Sequence, residues 1–187
     1  TGETDSQPRG KGPMHELPVP VEVDPETGTW SVDGQPMILM PRHFWAFVQM
    51  EAEKRFGVEA FQAMLFEATY KAARLWCERE ARTHGLAGPD ILVHYLKRMT
   101  QRGLGRLTIE DVDYDAGTAR VRLDHSVYVA EYGTQAGRGV CYMFTGALVG
   151  GMEAVAQSIG RTLTLKAEEV QCAACGAAHC RFVVSPR

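Results

Sequence analysis

The chain has 187 residues, 45% hydrophobic and 23% charged, which fits a folded domain and excludes long disordered, collagenous or coiled-coil architectures. Its net charge of −3 at pH 7 provides no basic field for nucleic acid, so we expect no nucleic-acid partner. The longest uncharged run, residues 139–152, is shorter than the roughly 20 apolar residues of a membrane-spanning helix. We therefore expect a soluble, cytoplasmic protein with no membrane partner.

The N-terminal part is predicted to be a tail followed by a hairpin extension. Residues 1–13 hold only polar residues, Gly and Pro, and are predicted to form a disordered tail. Within the extension, residues 14–40, short apolar runs flank a turn at 24–28, and a second turn at Asp33-Gly34 leads into a further run. Residues 41–187 then form the main domain.

Three helices are predicted at the start of the main domain, because apolar residues recur there at helical spacing. They cover residues 41–56, 58–83 and 90–103, and Asp90 is the predicted N-cap of the third. His94 lies beside the apolar stripe of that third helix, where a hydrogen-bonded boundary histidine is the expected role.

The second half of the chain contains two more predicted hairpins around a fourth helix. Strands are predicted at 107–114 and 119–123, followed by a Gly-rich loop at 131–140, a helix over 141–159 and a hairpin within 163–184. Helices that cluster between hairpins, without alternating βαβ units, predict an α+β fold with an antiparallel sheet.

The predicted fourth helix contains three interior glycines, Gly146, Gly150 and Gly151. A glycine inside a helix costs about 1 kcal/mol relative to alanine. Their presence therefore indicates close packing against another element or against a ligand.

Cysteine usage is the most informative feature of the sequence. The chain has 5 cysteines, and an odd number argues against a simple disulfide framework. Cys172, Cys175 and Cys180 lie close to Glu169 and His179 between two predicted strands, which favours a metal site. A group of buried thiols and a redox-active CxxC pair remain alternatives, although the redox motif lacks a strand-to-helix setting here.

Two segments of the chain resemble a known family. GVCYMFTGALVGG at 139–151 and EEVQCAACGAAHCRF at 168–182 resemble the 4-vinyl reductase domain, the small-molecule-binding module of phenol- and xylene-responsive transcription activators. The resemblance is clear over 139–184 and extends back to about Pro41. It implies antiparallel hairpins packed against about four helices, a fold related to haem-NO-binding and TRAPP-type domains, with a C-terminal zinc knuckle.

The resemblance also implies a ligand set for zinc. In zinc-containing members, the ligand pattern falls here on Cys141, Glu169, Cys172 and Cys180, and leaves Cys175 spare or as a replacement for Glu169. The chemistry of Cys141 agrees independently, because a helix N-terminus favours its thiolate. Four protein ligands leave no open position, so the zinc is expected to be structural.

The formal charge of such a site, three thiolates and one carboxylate around a divalent ion, is −2. Arg138 and Arg181 lie near the ligands in sequence. We expect them to offset this charge as hydrogen-bond donors.

An internal, mainly apolar ligand pocket is the second implication of the resemblance. It is expected between the second hairpin and the Gly-rich helix, lined by Leu123, Tyr128, Phe144 and Leu148. In the phenol-responsive relatives a His and a Trp bind the ligand hydroxyl. The matching positions here are Gln101 and Leu123. We therefore expect weak or no phenol binding and a preference for a larger or less polar hydrophobic or aromatic molecule.

Three functional classes follow from these observations. A zinc-containing sensor or accessory domain that binds a small molecule is favoured, and without a DNA-binding or ATPase segment it would act as a stand-alone sensor, a carrier or an enzyme's partner. An enzyme or accessory factor of tetrapyrrole vinyl reduction is the alternative, but no catalytic or redox-cofactor motif is visible. A protein-interaction subunit is the third class. The resemblance implies a homodimer formed through the N-terminal hairpin and the long helix.

Overall fold

The computed structural model describes residues 18–187. The predicted tail at 1–13 and residues 14–17 of the extension lie outside the described residues. Among the residues described, no helix has both the length and the apolar character that crossing a bilayer requires.

The extension forms a three-stranded antiparallel sheet in the order β1-β2-β3. Its strands are β1 (Val21–Val23), β2 (Trp30–Val32) and β3 (Gln35–Met37). The turn between β2 and β3 has positive φ at both central residues, 52° at Asp33 and 72° at Gly34. This is the geometry of a two-residue type I′ hairpin, for which Asp-Gly is a preferred sequence.

Three helices follow: α1 (Arg42–Phe56), α2 (Val58–His84) and α3 (Pro89–Gln101). Their bounds agree with the predicted ranges, since Gly57 and Gly85 adopt positive φ at the ends of α1 and α2. The prediction that Asp90 caps α3 is wrong. Gly88 is the N-cap, Pro89 takes the first helical position, and Asp90 lies in the first turn.

The second sheet is antiparallel with strand order β4-β5-β7-β6. The remaining elements are β4 (Arg106–Asp113), β5 (Thr118–Asp124), α4 (Val129–Tyr132), α5 (Met143–Ser158), β6 (Leu165–Gln171) and β7 (Cys180–Pro186). The predicted loop at 131–140 begins inside the short helix α4. The α+β class with antiparallel sheets packed against helices is confirmed.

Helix α5 is the centre of the core, because 12 of its 16 residues are buried. It packs against α2, α3 and the second sheet. A Cβ added at Gly146 would lie 2.3 Å from the carbonyl oxygen of Phe66, and one at Gly150 would lie 2.7 Å from that of Tyr70. Close packing on the backbone of α2 therefore accounts for these glycines.

Gly146→Ala should destabilise the protein by about 1–3 kcal/mol, the usual cost of overpacking a core. Helix propensity alone would predict the opposite sign, a gain of about 1 kcal/mol. Urea denaturation followed by circular dichroism measures the difference. Adding Thr69→Ala removes one contact but leaves the Phe66 carbonyl in place, so the double variant should stay destabilised. A Gly146→Ala protein as stable as wild type would contradict this packing.

Candidate functional site

Four potential metal ligands meet at one end of the second sheet. The ligand atoms of Cys141, Glu169, Cys172 and Cys180 all lie within 4.8 Å of one another. Cys141 lies just before α5, Glu169 is on β6, Cys172 follows β6, and Cys180 begins β7. The β6–β7 hairpin thus brings three ligands together, and the start of α5 adds the fourth.

The sulfur spacing fits a tetrahedral metal site. The Sγ of Cys180 lies 3.6 Å from that of Cys141 and 3.8 Å from that of Cys172. A tetrahedron with metal–sulfur bonds of about 2.3 Å has sulfur–sulfur edges of about 3.8 Å. Two of the three sulfur–sulfur distances therefore match those of a tetrahedral metal site.

Glu169 has the properties expected of the fourth ligand. Its Oε2 accepts a hydrogen bond from the backbone N–H of Cys141 at 2.9 Å, whereas its Oε1 is buried without a hydrogen-bond partner among the described residues. Burial raises the pKa of this carboxyl to about 8. A buried, unsatisfied carboxylate oxygen is costly, and a cation next to it would remove that cost.

The thiols share hydrogen bonds with one another and with the surrounding backbone. Hydrogen bonds with Cys172 and Cys180 raise the pKa of Cys141, and the corresponding bonds from Cys141 and Cys180 lower the pKa of Cys172. The backbone N–H of Ala173 points at the Cys180 sulfur at 3.3 Å. Ser126 Oγ lies 3.0 Å from the Cys141 sulfur. These polar neighbours suit a cluster that carries negative charge on sulfur.

The two remaining cysteines have different environments. Cys175 is exposed and is not one of the clustered ligands. The geometry thus brings Glu169, rather than Cys175, to the three thiols. Cys77 is a buried apolar thiol within α2, and burial raises its pKa to about 12.

Arg138 and Arg181 do not act as the expected hydrogen-bond donors to the clustered ligands. Arg138 forms an ion pair with Glu53, and Arg181 forms one with Glu110 at 2.8 Å. Other carboxylates thus hold both guanidinium groups. Backbone N–H groups donate to the cluster instead: that of Cys141 donates to Glu169, and that of Ala173 donates to the Cys180 sulfur.

A buried network on α1, which sequence reasoning missed, fixes the segment before Cys141. Glu53 accepts hydrogen bonds from the hydroxyls of Tyr142 at 2.6 Å and Tyr132 at 2.7 Å, and it also pairs with Arg138. One turn earlier on α1, Gln49 donates to the carbonyl oxygen of Val140 at 2.9 Å. No local signal separates Gln49 and Glu53 from the other polar residues of α1, because Glu51, Lys54 and Arg55 lie on the same helix.

The four predicted pocket residues all lie in the core. Leu123, Tyr128, Phe144 and Leu148 are each no more than 2% exposed and belong to one hydrophobic cluster between the second sheet and α5. The rings of Tyr128 and Phe144 meet edge to face at 6.4 Å. Gln101 lies at the end of α3, where its side chain accepts a hydrogen bond from Arg98.

A groove lies elsewhere, between α2 and the C-terminal half of α5. Its volume is about 530 Å³. At its floor Glu153 accepts hydrogen bonds from the Tyr70 hydroxyl at 2.7 Å and from the backbone N–H of Leu165 at 3.0 Å. These bonds join α2, α5 and β6.

Two solved structures share this fold. The phenol-responsive sensory domain of the transcription activator PoxR, solved with phenol, superimposes with a TM-score of 0.72 and 20% identity, covering 89% of this chain and 84% of that chain. A trafficking protein particle complex subunit 3 from Naegleria fowleri, covalently bound to palmitic acid, gives a TM-score of 0.55 and 13% identity, covering 78% of this chain and 95% of that chain. The chain therefore has the fold of these sensory and trafficking domains.

The sequence itself identifies a family. Residues 15–110 match the model of a domain of unknown function, DUF5943, and the chain belongs to that family. No curated protein matches the sequence significantly. The matched segment runs from the extension into β4 and ends before the cysteine cluster.

Replacement of Glu53 by Gln should destabilise the protein by about 1.5–3 kcal/mol, because charge-assisted hydrogen bonds are lost. Burial opposes ionisation of Glu53, but hydrogen bonds from Tyr142, Tyr132 and Arg138 outweigh it and lower the pKa below its ordinary value of 4.5. The wild-type advantage should therefore be present above about pH 4.5 and shrink as pH falls through the lowered pKa of the folded state.

The matched control is Glu51→Gln, since Glu51 is exposed on the same helix and its ion-pair partner within residues 18–187 is Lys54 alone. It should change stability by less than about 1 kcal/mol. Denaturation curves at several pH values compare the two variants. Equal effects of both substitutions at neutral pH would contradict the role given to Glu53.

Proposed function

We propose that the protein is a sensor or accessory domain that binds a hydrophobic or aromatic small molecule between β5 and α5, next to a structural zinc ion. The zinc ligands are Cys141, Glu169, Cys172 and Cys180. The likeness of the fold to a phenol-responsive sensory domain supports the class of function. The observation that carries the ligand site is the environment of Tyr128.

Tyr128 is a polar group with an incomplete set of partners in an apolar cluster. Burial raises the pKa of its hydroxyl, which therefore stays protonated and acts as a donor. The hydroxyl donates to the thioether sulfur of Met143 at 3.0 Å, a weak acceptor. Buried tyrosine hydroxyls normally find a stronger partner. A ligand oxygen would be that partner, and the flexible Met143 side chain can move aside.

Zinc would stabilise one side of this ligand site. Its ligands join the end of the β6–β7 hairpin to the residue that precedes α5. Phe144 begins the buried face of α5 and contacts Phe182 of β7, with ring centroids 5.8 Å apart. An ion that fixes Cys141 to Cys180 therefore fixes the spacing between α5 and the sheet. With four protein ligands it has no open position for catalysis.

One cysteine-bound zinc per chain is the first expected result. Cys172→Ala and Cys180→Ala should each lose this ion and melt at a lower temperature, because binding of structural zinc is coupled to folding. Elemental analysis and thermal melts measure both effects. Cys175→Ala is the control and should keep the ion. Loss of zinc in Cys175→Ala together with its retention in Glu169→Ala would show a four-sulfur site instead. A metal-free protein that melts at the same temperature would contradict the proposal.

Phenol should bind weakly or not at all, since Gln101 and Leu123 replace the polar anchors expected in phenol-responsive relatives. Acetophenone, an aromatic ketone with one acceptor, is a better probe of Tyr128. Tyr128→Phe should weaken its binding by roughly 3- to 10-fold, the value of one hydrogen bond. Calorimetry measures both ligands.

Tyr114→Phe is the control for this ligand test, because Tyr114 is only partly buried, at the β4–β5 turn. It should leave acetophenone binding unchanged. Micromolar affinity for phenol would show that the inference from Gln101 and Leu123 is wrong. Acetophenone binding that Tyr128→Phe leaves unchanged would contradict the proposed ligand site.

The resemblance implies pairing through the N-terminal hairpin and the long helix, α2. The exposed apolar residues favour a different surface, and we further propose that two copies pair through the surface around α1. This surface, the β3–α1 face, exposes large apolar side chains: Ile38, Leu39, Phe44, Trp45, Phe47, Val48 and Phe56. Exposed large apolar side chains in this number are typical of a protein interface. Five of these seven exposed residues belong to α1, whose buried residues are only Ala46, Gln49 and Glu53.

Light scattering should show a dimer for the wild-type protein. Leu39→Glu with Trp45→Glu should give a monomer, because charges placed within an apolar interface disrupt it. The double variant Val93→Glu and Val170→Glu changes exposed apolar residues elsewhere and should remain dimeric. A wild-type monomer at high concentration would contradict the pairing.

A further inference from the structure

We propose a second metal site, for a divalent first-row transition ion, formed by Asp33, Glu80, His84 and His94. One ligand atom from each of these residues lies within 4.8 Å of the others. Asp33 is in the β2–β3 turn, Glu80 and His84 are one turn apart near the end of α2, and His94 is on α3. The site joins the N-terminal sheet to two helices and contains no sulfur.

The position of His84 indicates coordination better than hydrogen bonding. Its Nε2 lies 3.5 Å from Asp33 Oδ1 and 3.4 Å from Glu80 Oε2, which is long for a hydrogen bond. A tetrahedral ion with bonds of about 2.0–2.1 Å has ligand–ligand edges of about 3.4 Å. Two of the measured edges therefore already have the required length. His94 Nε2 lies closer, 2.8 Å from Glu80 Oε2, and coordination would lengthen this contact.

Burial makes the two carboxylates costly without a cation. The side chains of Glu80 and Asp33 are 1% and 7% exposed. Asp33 Oδ2 lies 2.6 Å from Arg98 Nη2, yet it has no hydrogen-bond partner of proper geometry among the described residues. Arg98 offsets one carboxylate charge. Glu80 pairs with no Lys or Arg among the described residues, so no permanent cation offsets its buried negative charge.

The surroundings orient the ligands. Gln35 donates to Glu80 Oε1 at 2.6 Å, which leaves Oε2 directed at the histidines. The Trp76 ring stacks on His94, with centroids 5.6 Å apart and planes at 19°. Fixed orientation of this kind is typical of groups around metal ligands. The His84 side chain is 31% exposed, so an ion can enter from solvent.

The donor set selects the class of ion. Two imidazoles and two carboxylates suit zinc, cobalt, nickel or iron, whereas calcium and magnesium prefer oxygen ligands alone. An ion here would bind the β2–β3 turn to α2 and α3. The N-terminal sheet would then be held in place by metal as well as by the ion pair of Asp33 with Arg98.

Zinc stoichiometry on the tag-free full chain tests this proposal. After chelator treatment and zinc reloading, His94→Gln and Asp33→Asn should each bind one equivalent less than wild type. Asp33→Asn is mild, because asparagine tolerates the φ of 52° at this position. His43→Gln, an exposed histidine on α1, is the matched control and should keep the wild-type stoichiometry.

Cobalt distinguishes the two sites, because only the cysteine cluster gives thiolate-to-cobalt charge-transfer absorption. That absorption should be lost in Cys172→Ala and remain in His94→Gln. The equivalent of metal ion that is lost in His94→Gln should still bind to Cys172→Ala. The test of the second metal site therefore does not depend on whether the cysteine cluster binds zinc. Circular dichroism checks folding, and Asp33→Asn decides the test if His94→Gln does not fold. Wild-type stoichiometry in a folded Asp33→Asn protein would overturn the proposal.

Discussion

The close approach of α5 to α2 is the packing constraint on which the rest of the structure depends. The glycine positions of α5 let its backbone pack against carbonyl oxygens of α2, and a Cβ at Gly146 or Gly150 would collide with that backbone. The short distance lets α5 lie between the helices and the second sheet. Its first turn then reaches the end of the β6–β7 hairpin, where Cys141 meets Cys172 and Cys180.

Two carboxylates, the buried Glu53 and the partly buried Glu153, connect this core to its surroundings. Glu53 joins α1 to the segment before α5, and Glu153 joins α5 to α2 and β6. Both are satisfied by tyrosine hydroxyls, with an arginine or a backbone N–H in addition. Glu80 and Glu169 differ, because each lies in a group of side chains that could hold a metal ion. The same residue type thus serves as a structural acceptor at two positions and as a proposed metal ligand at two others.

The two proposed metal sites differ in the chemistry of their ligands. The cysteine cluster is closed and rich in sulfur, which suits a permanent structural ion. The histidine and carboxylate group is partly open to solvent and suits an exchangeable ion. An ion in the first site would fix the second sheet against α5, and an ion in the second would fix the N-terminal sheet against α2 and α3. The proposed ligand site at Tyr128 lies beside the first.

The sequence by itself determined the features that depend on neighbouring residues. Gly57 and Gly85 mark the ends of helices through local backbone geometry, and the spacing of Cys172, Cys180 and Glu169 follows from a single hairpin. Only the tertiary structure decided which charges pair, because Arg138 and Arg181 reach Glu53 and Glu110, which are distant in the chain. It alone placed Asp33 beside His84 and His94. Side chains from separate elements meet only after packing, and no local pattern specifies that packing.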